Sequence, residues 1–131
     1  MAIKGQAMPT TVIQSHRAKI SDGKSVRVTA TIPTEASKFY HFDGFIGAAF
    51  QSVEAGEEVI LNIEQAEYET DQLGDGDFKV GTPIFFDGKE FSTDEGIFAG
   101  TVTQEKDEDG VILFIKSPQG IVHQAPTGGN E

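Results

Sequence analysis

Chemistry at neutral pH falls first to histidine, and this 131-residue chain has three: His16, His41 and His123. They lie 25 and 82 residues apart and share no local spacing such as His-x-x-x-His. A zinc site would therefore exist only if the fold gathered them, and each reads as a surface or strand-face residue. The chain has no cysteine, which excludes disulfides, cysteine-ligated zinc and thiol catalysis. No Gly-x-Ser-x-Gly elbow occurs, and a Ser–His–Asp triad, which assembles in space, leaves no trace in the order of residues.

Carboxylates are the other reactive class. Asp71-Gln72-Leu73-Gly74-Asp75-Gly76-Asp77 has the acid-and-glycine character of a calcium loop. An EF-hand loop, however, needs acids at its first, third and fifth positions. Counting from Asp71 puts Leu73 third, and counting from Asp75 puts Lys79 fifth. The stretch reads instead as a solvated connection between strands, and Asp107-Glu108-Asp109-Gly110 as a charged hairpin tip. Gly74-x-Gly76 lacks the third glycine and the Lys-Ser/Thr of a phosphate loop. Eighteen acids lie in residues 54–131, so some pair with glycosidase spacing would arise by accident and carries no information. Ten of the 12 aromatics are Phe and none is Trp, which suits core filling better than a sugar platform. The residues thus name no catalytic group and no cofactor.

The elements that would position these residues read as strands. Asp-Gly or Gly-Asp recurs at Asp22-Gly23, Asp43-Gly44, Gly74-Asp75-Gly76, Asp87-Gly88 and Asp109-Gly110. Glycine accepts the positive φ of tight hairpin turns, so each pair predicts one. Between the turns the apolar residues alternate. Lys24–Ile32 puts Val26, Val28, Ala30 and Ile32 on one face, and Glu58–Glu64 does the same with Val59, Leu61 and Ile63. Thr11–Ile20 alternates more weakly. Val80–Phe86 and Ile97–Gln104 are further strands, and the apolar run Val111–Lys116 predicts a strand buried on both faces. Helical signal is confined to one turn over Pro33–Lys38 with Thr34 as its cap. Short strands about ten residues apart predict an all-β fold, a small barrel or β-tulip-like single domain. The expected division is an irregular N-terminal arm over 1–20, a barrel body over 21–116 and a flexible, polar C-terminal tail over 117–131.

Charge adds a direction. The net charge is -11 and the pI about 4.5, which disfavours nucleic acid as a partner. Residues 1–53 hold six basic and three acidic residues, giving +3; the remainder holds four and eighteen, giving -14. The two parts are expected to meet different surroundings. No stretch approaches the roughly 20 apolar residues of a membrane helix, and the start lacks the apolar core of a secretory signal.

Residues Gly44 to about Lys116 resemble the capsid decoration, or head-stabilising, proteins of tailed bacteriophages. Gly44-Phe45-Ile46-Gly47-Ala48-Ala49 with Val53-Glu54-Ala55-Gly56-Glu57-Glu58-Val59 is similar to that family's Gly-Val-Ala strand and the Ala-Gly-Glu-x-Val turn after it. Val80-Gly81-Thr82-Pro83-Ile84-Phe85-Phe86-Asp87-Gly88-Lys89 resembles its Gly-Asp-x-Val-Tyr-Trp-Asp element, with Phe85-Phe86 in place of Tyr-Trp and Thr82-Pro83 in place of a polar turn. Phe98-Ala99-Gly100-Thr101-Val102 and Val111–Ile115 resemble its Ile-Gly-x-Ala strand and closing strand.

The resemblance implies a non-enzymatic virion protein without a cofactor, made in the bacterial host cytoplasm. It implies binding to the major capsid protein on the outer surface of the head, as a homo-trimer at three-fold lattice positions, with no membrane partner. On that reading the leader Ala2–Ile20 extends over a capsid subunit. Ile3, Met8, Val12 and Ile13 would fill apolar pockets, and Lys4, Arg17 and Lys19 would meet acidic capsid groups. The Phe-rich segment Phe39–Phe50, through Phe42, Phe45 and Phe50, would either supply the trimer interface or fill the protomer's own core. The alternatives are an adhesion or carbohydrate-binding module of a head or tail fibre, and a small metal-dependent enzyme.

Overall fold

A computed structural model describes residues 18–118, and these form an all-β, partly barrel-like body. Nine strands run in order: β1 Ser25–Thr29, β2 Phe39–Phe42, β3 Phe45–Ala49, β4 Glu58–Asn62, β5 Glu67–Thr70, β6 Pro83–Phe86, β7 Phe91–Ser92, β8 Ile97–Gln104 and β9 Ile112–Lys116. The first four make one sheet, in the order β1-β4-β3-β2, and the last five make the other, in the order β5-β9-β8-β6-β7. Every ladder is antiparallel.

The turn residues set the register. Phe42 pairs with Phe45 across the two-residue turn Asp43-Gly44, whose φ angles are +51° and +87°. Positive φ at both central residues is the type I′ geometry, whose twist matches that of paired strands. Asp43 also reaches across the sheet, where its Oδ2 accepts the Thr29 N–H at 3.0 Å. The β2–β3 tip is thereby drawn toward the outer edge of β1, and the four-stranded sheet curls as a half-barrel. Gly47 lies where β3 crosses β4: a Cβ there would stand 2.5 Å from the Asn62 carbonyl oxygen.

Alternation along the strands divides the buried residues into two clusters. Val28, Ala30, Tyr40, Phe42, Ala49, Val59, Leu61 and Ile63 fill the hollow of the half-barrel. Phe78, Ile84, Phe86, Phe91, Ala99, Val102, Ile112 and Phe114 cover one face of the five-stranded sheet, and Phe39 and Ile46 join them from the opposite face of the β2–β3 hairpin. That hairpin is therefore buried on both faces and couples the sheets. Phe39 meets Tyr68, Phe91 and Phe114 at ring separations of 5.4–5.5 Å. Edge and tilted contacts of this kind add about 0.5–1.5 kcal/mol each beyond burial.

Four expectations are corrected. The strand predicted over Lys24–Ile32 ends at Thr29, and Ile32 is exposed, because the chain turns away before Pro33, which has no N–H to donate. Pro33–Lys38 forms no helical turn. Lys38 N donates to Glu35 O across a turn with Ser37 at φ +76°, while the Thr34 hydroxyl donates to Gln51 O and accepts from Val53 N. The strand sought over Val80–Phe86 begins only at Pro83, and Val80 is exposed beside a turn that needs Gly81 at φ +88°. Finally, β9 is not buried on both faces: Ile112, Phe114 and Lys116 face the core, while Ile115 is 45% exposed.

Candidate functional site

Where the two sheets meet, they leave a cleft of about 550 Å³. The end of the β2–β3 hairpin lines one side and β5 with the chain after it lines the other. A volume of this order suits a small ligand or a few residues of a peptide.

Its polar groups come from Ser37 and Lys38, from Asn62, and from the run after Ala66. Gln72 follows β5, and its side chain works as a substitute strand. Its Oε1 accepts the Phe39 N–H at 2.7 Å, and its Nε2 donates to Phe39 O at 3.1 Å and Lys89 O at 3.2 Å. Its own carbonyl accepts the Phe91 N–H, and Leu73 bridges Phe91 beside it. The acidic stretch read as a solvated connection therefore starts as a structural clamp between the sheets. Lys38 donates to Asp71 at 2.9 Å. That hydrogen bond and the charges behind it hold Asp71 below the usual carboxylate range and raise Lys38 above the usual ammonium range. Tyr68 donates its hydroxyl to Glu64 O at 2.7 Å, and burial, then the Glu64 charge, raise its pKa above the ordinary phenol value. Glu67 accepts the Thr103 hydroxyl at 2.6 Å.

At neutral pH each shifted group here is held in its ordinary state: Asp71 ionised, Lys38 charged, Tyr68 neutral. These groups thus present fixed charge and hydrogen bonds to the cleft. Tyr40 is buried, stacked on Phe42 at 5.3 Å, with its oxygen accepting the Glu35 N–H, and Tyr68 packs against Phe39 and Phe114.

The expected interaction residues fall as follows. Ile3, Lys4, Met8, Val12, Ile13 and Arg17 lie outside the described residues, as do His16 and His123. Lys19 is exposed and pairs with Asp22 at 3.0 Å. His41 is half-buried on β2. Phe42 and Phe45 pack in the half-barrel's own cluster, whereas Phe50 is 56% exposed on the rim of the cleft. Among the described residues no three His, Asp or Glu side chains gather as a metal site.

Two residues of consequence escaped the sequence. Gln72 gave no signal, because its role depends on a partner 33 residues away. Lys116 is 2% exposed on the core face of β9, with Nζ 3.4 Å from the Ile63 and Ser117 carbonyls. Burial lowers its pKa to about 8. Its place in the Ile112, Phe114, Lys116 alternation was the available sign.

In comparisons with known proteins, no family model matches this chain, and neither curated proteins nor solved structures give a match to it.

Proposed function

We propose that this chain is a non-enzymatic capsid decoration protein of a tailed phage, binding the outer surface of the mature head and stabilising contacts between capsid subunits. One observation carries the reading most directly. Residues from all three stretches that resemble the family meet in a single core: Ile46 from the first, Ile84 and Phe86 from the second, and Ala99, Val102, Ile112 and Phe114 from the third. The resemblance therefore covers one packed unit spanning both sheets. The fixed, charge-paired cleft supports a binding role over catalysis.

On this reading the leader Ala2–Ile20 reaches a capsid subunit through Ile3, Met8, Val12 and Ile13 and through Lys4, Arg17 and Lys19. The body gathers as a trimer at three-fold positions, with exposed Phe50 available to a neighbour. Deletion of residues 2–10 tests the assignment. The truncated protein should keep its circular dichroism and melting temperature and lose its ability to protect filled heads from heat-induced DNA release. Full protection by the truncated protein would contradict the role given to the leader. An intact protein that binds heads without protecting them would contradict the stabilising function.

A further inference from the structure

The cleft has an open strand along one wall. In the β5–β9 ladder, Lys116 N donates to Ala66 O, and Phe114 and Ile112 stand opposite Tyr68 and Thr70 in the same phase. Antiparallel hydrogen bonding alternates, so the N–H and C=O groups of Glu67 and Glu69 point away from β9, out of the sheet. β5 is the last strand on that side of the sheet order. Across from it stand Ala48, whose small side chain leaves room, and Phe50, whose ring is mostly exposed.

A strand laid beside β5 would alternate as β5 does. Its residues facing Tyr68 and Thr70 would meet Ala48 and Phe50 and should be apolar. The one directly opposite Glu69 would meet its carboxylate, and the one opposite Glu67 a carboxylate that also accepts the Thr103 hydroxyl, so both should be basic. The nearby cation, Lys38, is already paired with Asp71. We infer that this cleft receives an extended segment of a partner protein, alternating basic and apolar residues, as an added strand on β5. Main-chain bonds to Glu67 and Glu69 supply affinity, and the alternation supplies selectivity. The inference does not depend on the capsid reading, since it rests on the β5 edge and the cleft beside it.

The test uses the full chain and two labelled octapeptides, one alternating Val and Lys and one alternating Val and Glu. The Val-Lys peptide should bind saturably, one per chain, and slow amide hydrogen exchange at Glu67 and Glu69. Binding should weaken at least about tenfold between about 50 and 500 mM salt. The E67Q/E69Q double variant should also bind at least about tenfold more weakly. Glu69→Pro should abolish binding, because it removes an outward N–H, and edge positions of this kind accept proline. Equal binding of both peptides would overturn the proposal. So would undiminished binding to folded E67Q/E69Q, or protection of amides elsewhere than on β5. Self-association that the Val-Lys peptide cannot displace would assign the edge to a second copy instead and would equally overturn it.

Discussion

Lys116 shows how one side chain can set the response of the whole protein to pH. Its folded pKa of about 8 lies below the ordinary 10.5, so the unfolded chain binds more protons between those values. Stability must then rise with pH across that window, since deprotonation removes the cost of burying the charge. The melting temperature should climb from pH 8 to pH 10, and Lys116→Met should remove most of that climb. An unchanged slope in the variant would mean that another group carries it. Asp87 acts on the acid side. Its Oδ1 accepts the N–H groups of Lys89 and Glu90, both at 2.9 Å, and these bonds hold its carboxyl below the ordinary 3.8. The stabilisation is present above pH 3.8 and is lost as the pH falls through the lowered value. Asp87→Ala should cost about 1 kcal/mol at pH 7 in urea unfolding and should flatten the acid limb.

Among the elements, the β2–β3 hairpin and the segment after β5 carry the coupling between sheets. Gln72→Ala removes three hydrogen bonds and leaves the part-buried Phe39 amide without its partner, which should cost about 2–3 kcal/mol in denaturant unfolding. A cost near zero would show that the sheets hold together through the aromatic contacts alone. Gly47→Val forces a side chain against the Asn62 carbonyl and should cost about 1–3 kcal/mol, read as a lowered melting temperature. Part of the strand set was legible, because alternation and Asp-Gly punctuation are local; β2, β5 and β7, only two to four residues long, were too short to show a period. Val59, Leu61 and Ile63 share a buried face as their spacing predicts, and Ile97–Gln104 has the predicted bounds. The two sides of β9 were not, because Leu113 and Ile115 are apolar on the outer face and mask the alternation. The cleft was illegible for a related reason. It exists only where residues 37–39 and 48–50 approach residues 67–72, a proximity fixed by sheet packing and not by spacing along the chain.

At the scale of the molecule, the division of the chain into two sheets and the division of its charge nearly coincide. The basic part, residues 1–53, contributes β1, β2 and β3, and the acidic remainder contributes β4 and the whole five-stranded sheet. An acidic body behind a basic leader suits a protein that docks by one end and faces water with the other. The net charge of -11 should also keep the free protein soluble and apart from nucleic acid. The most direct test of the capsid reading is sedimentation of the full chain with undecorated, expanded phage heads over a range of concentrations. The account predicts saturable co-sedimentation at a fixed number of copies per capsid subunit, weaker as salt rises. A folded, β-rich protein that stays in the supernatant at every concentration would contradict it.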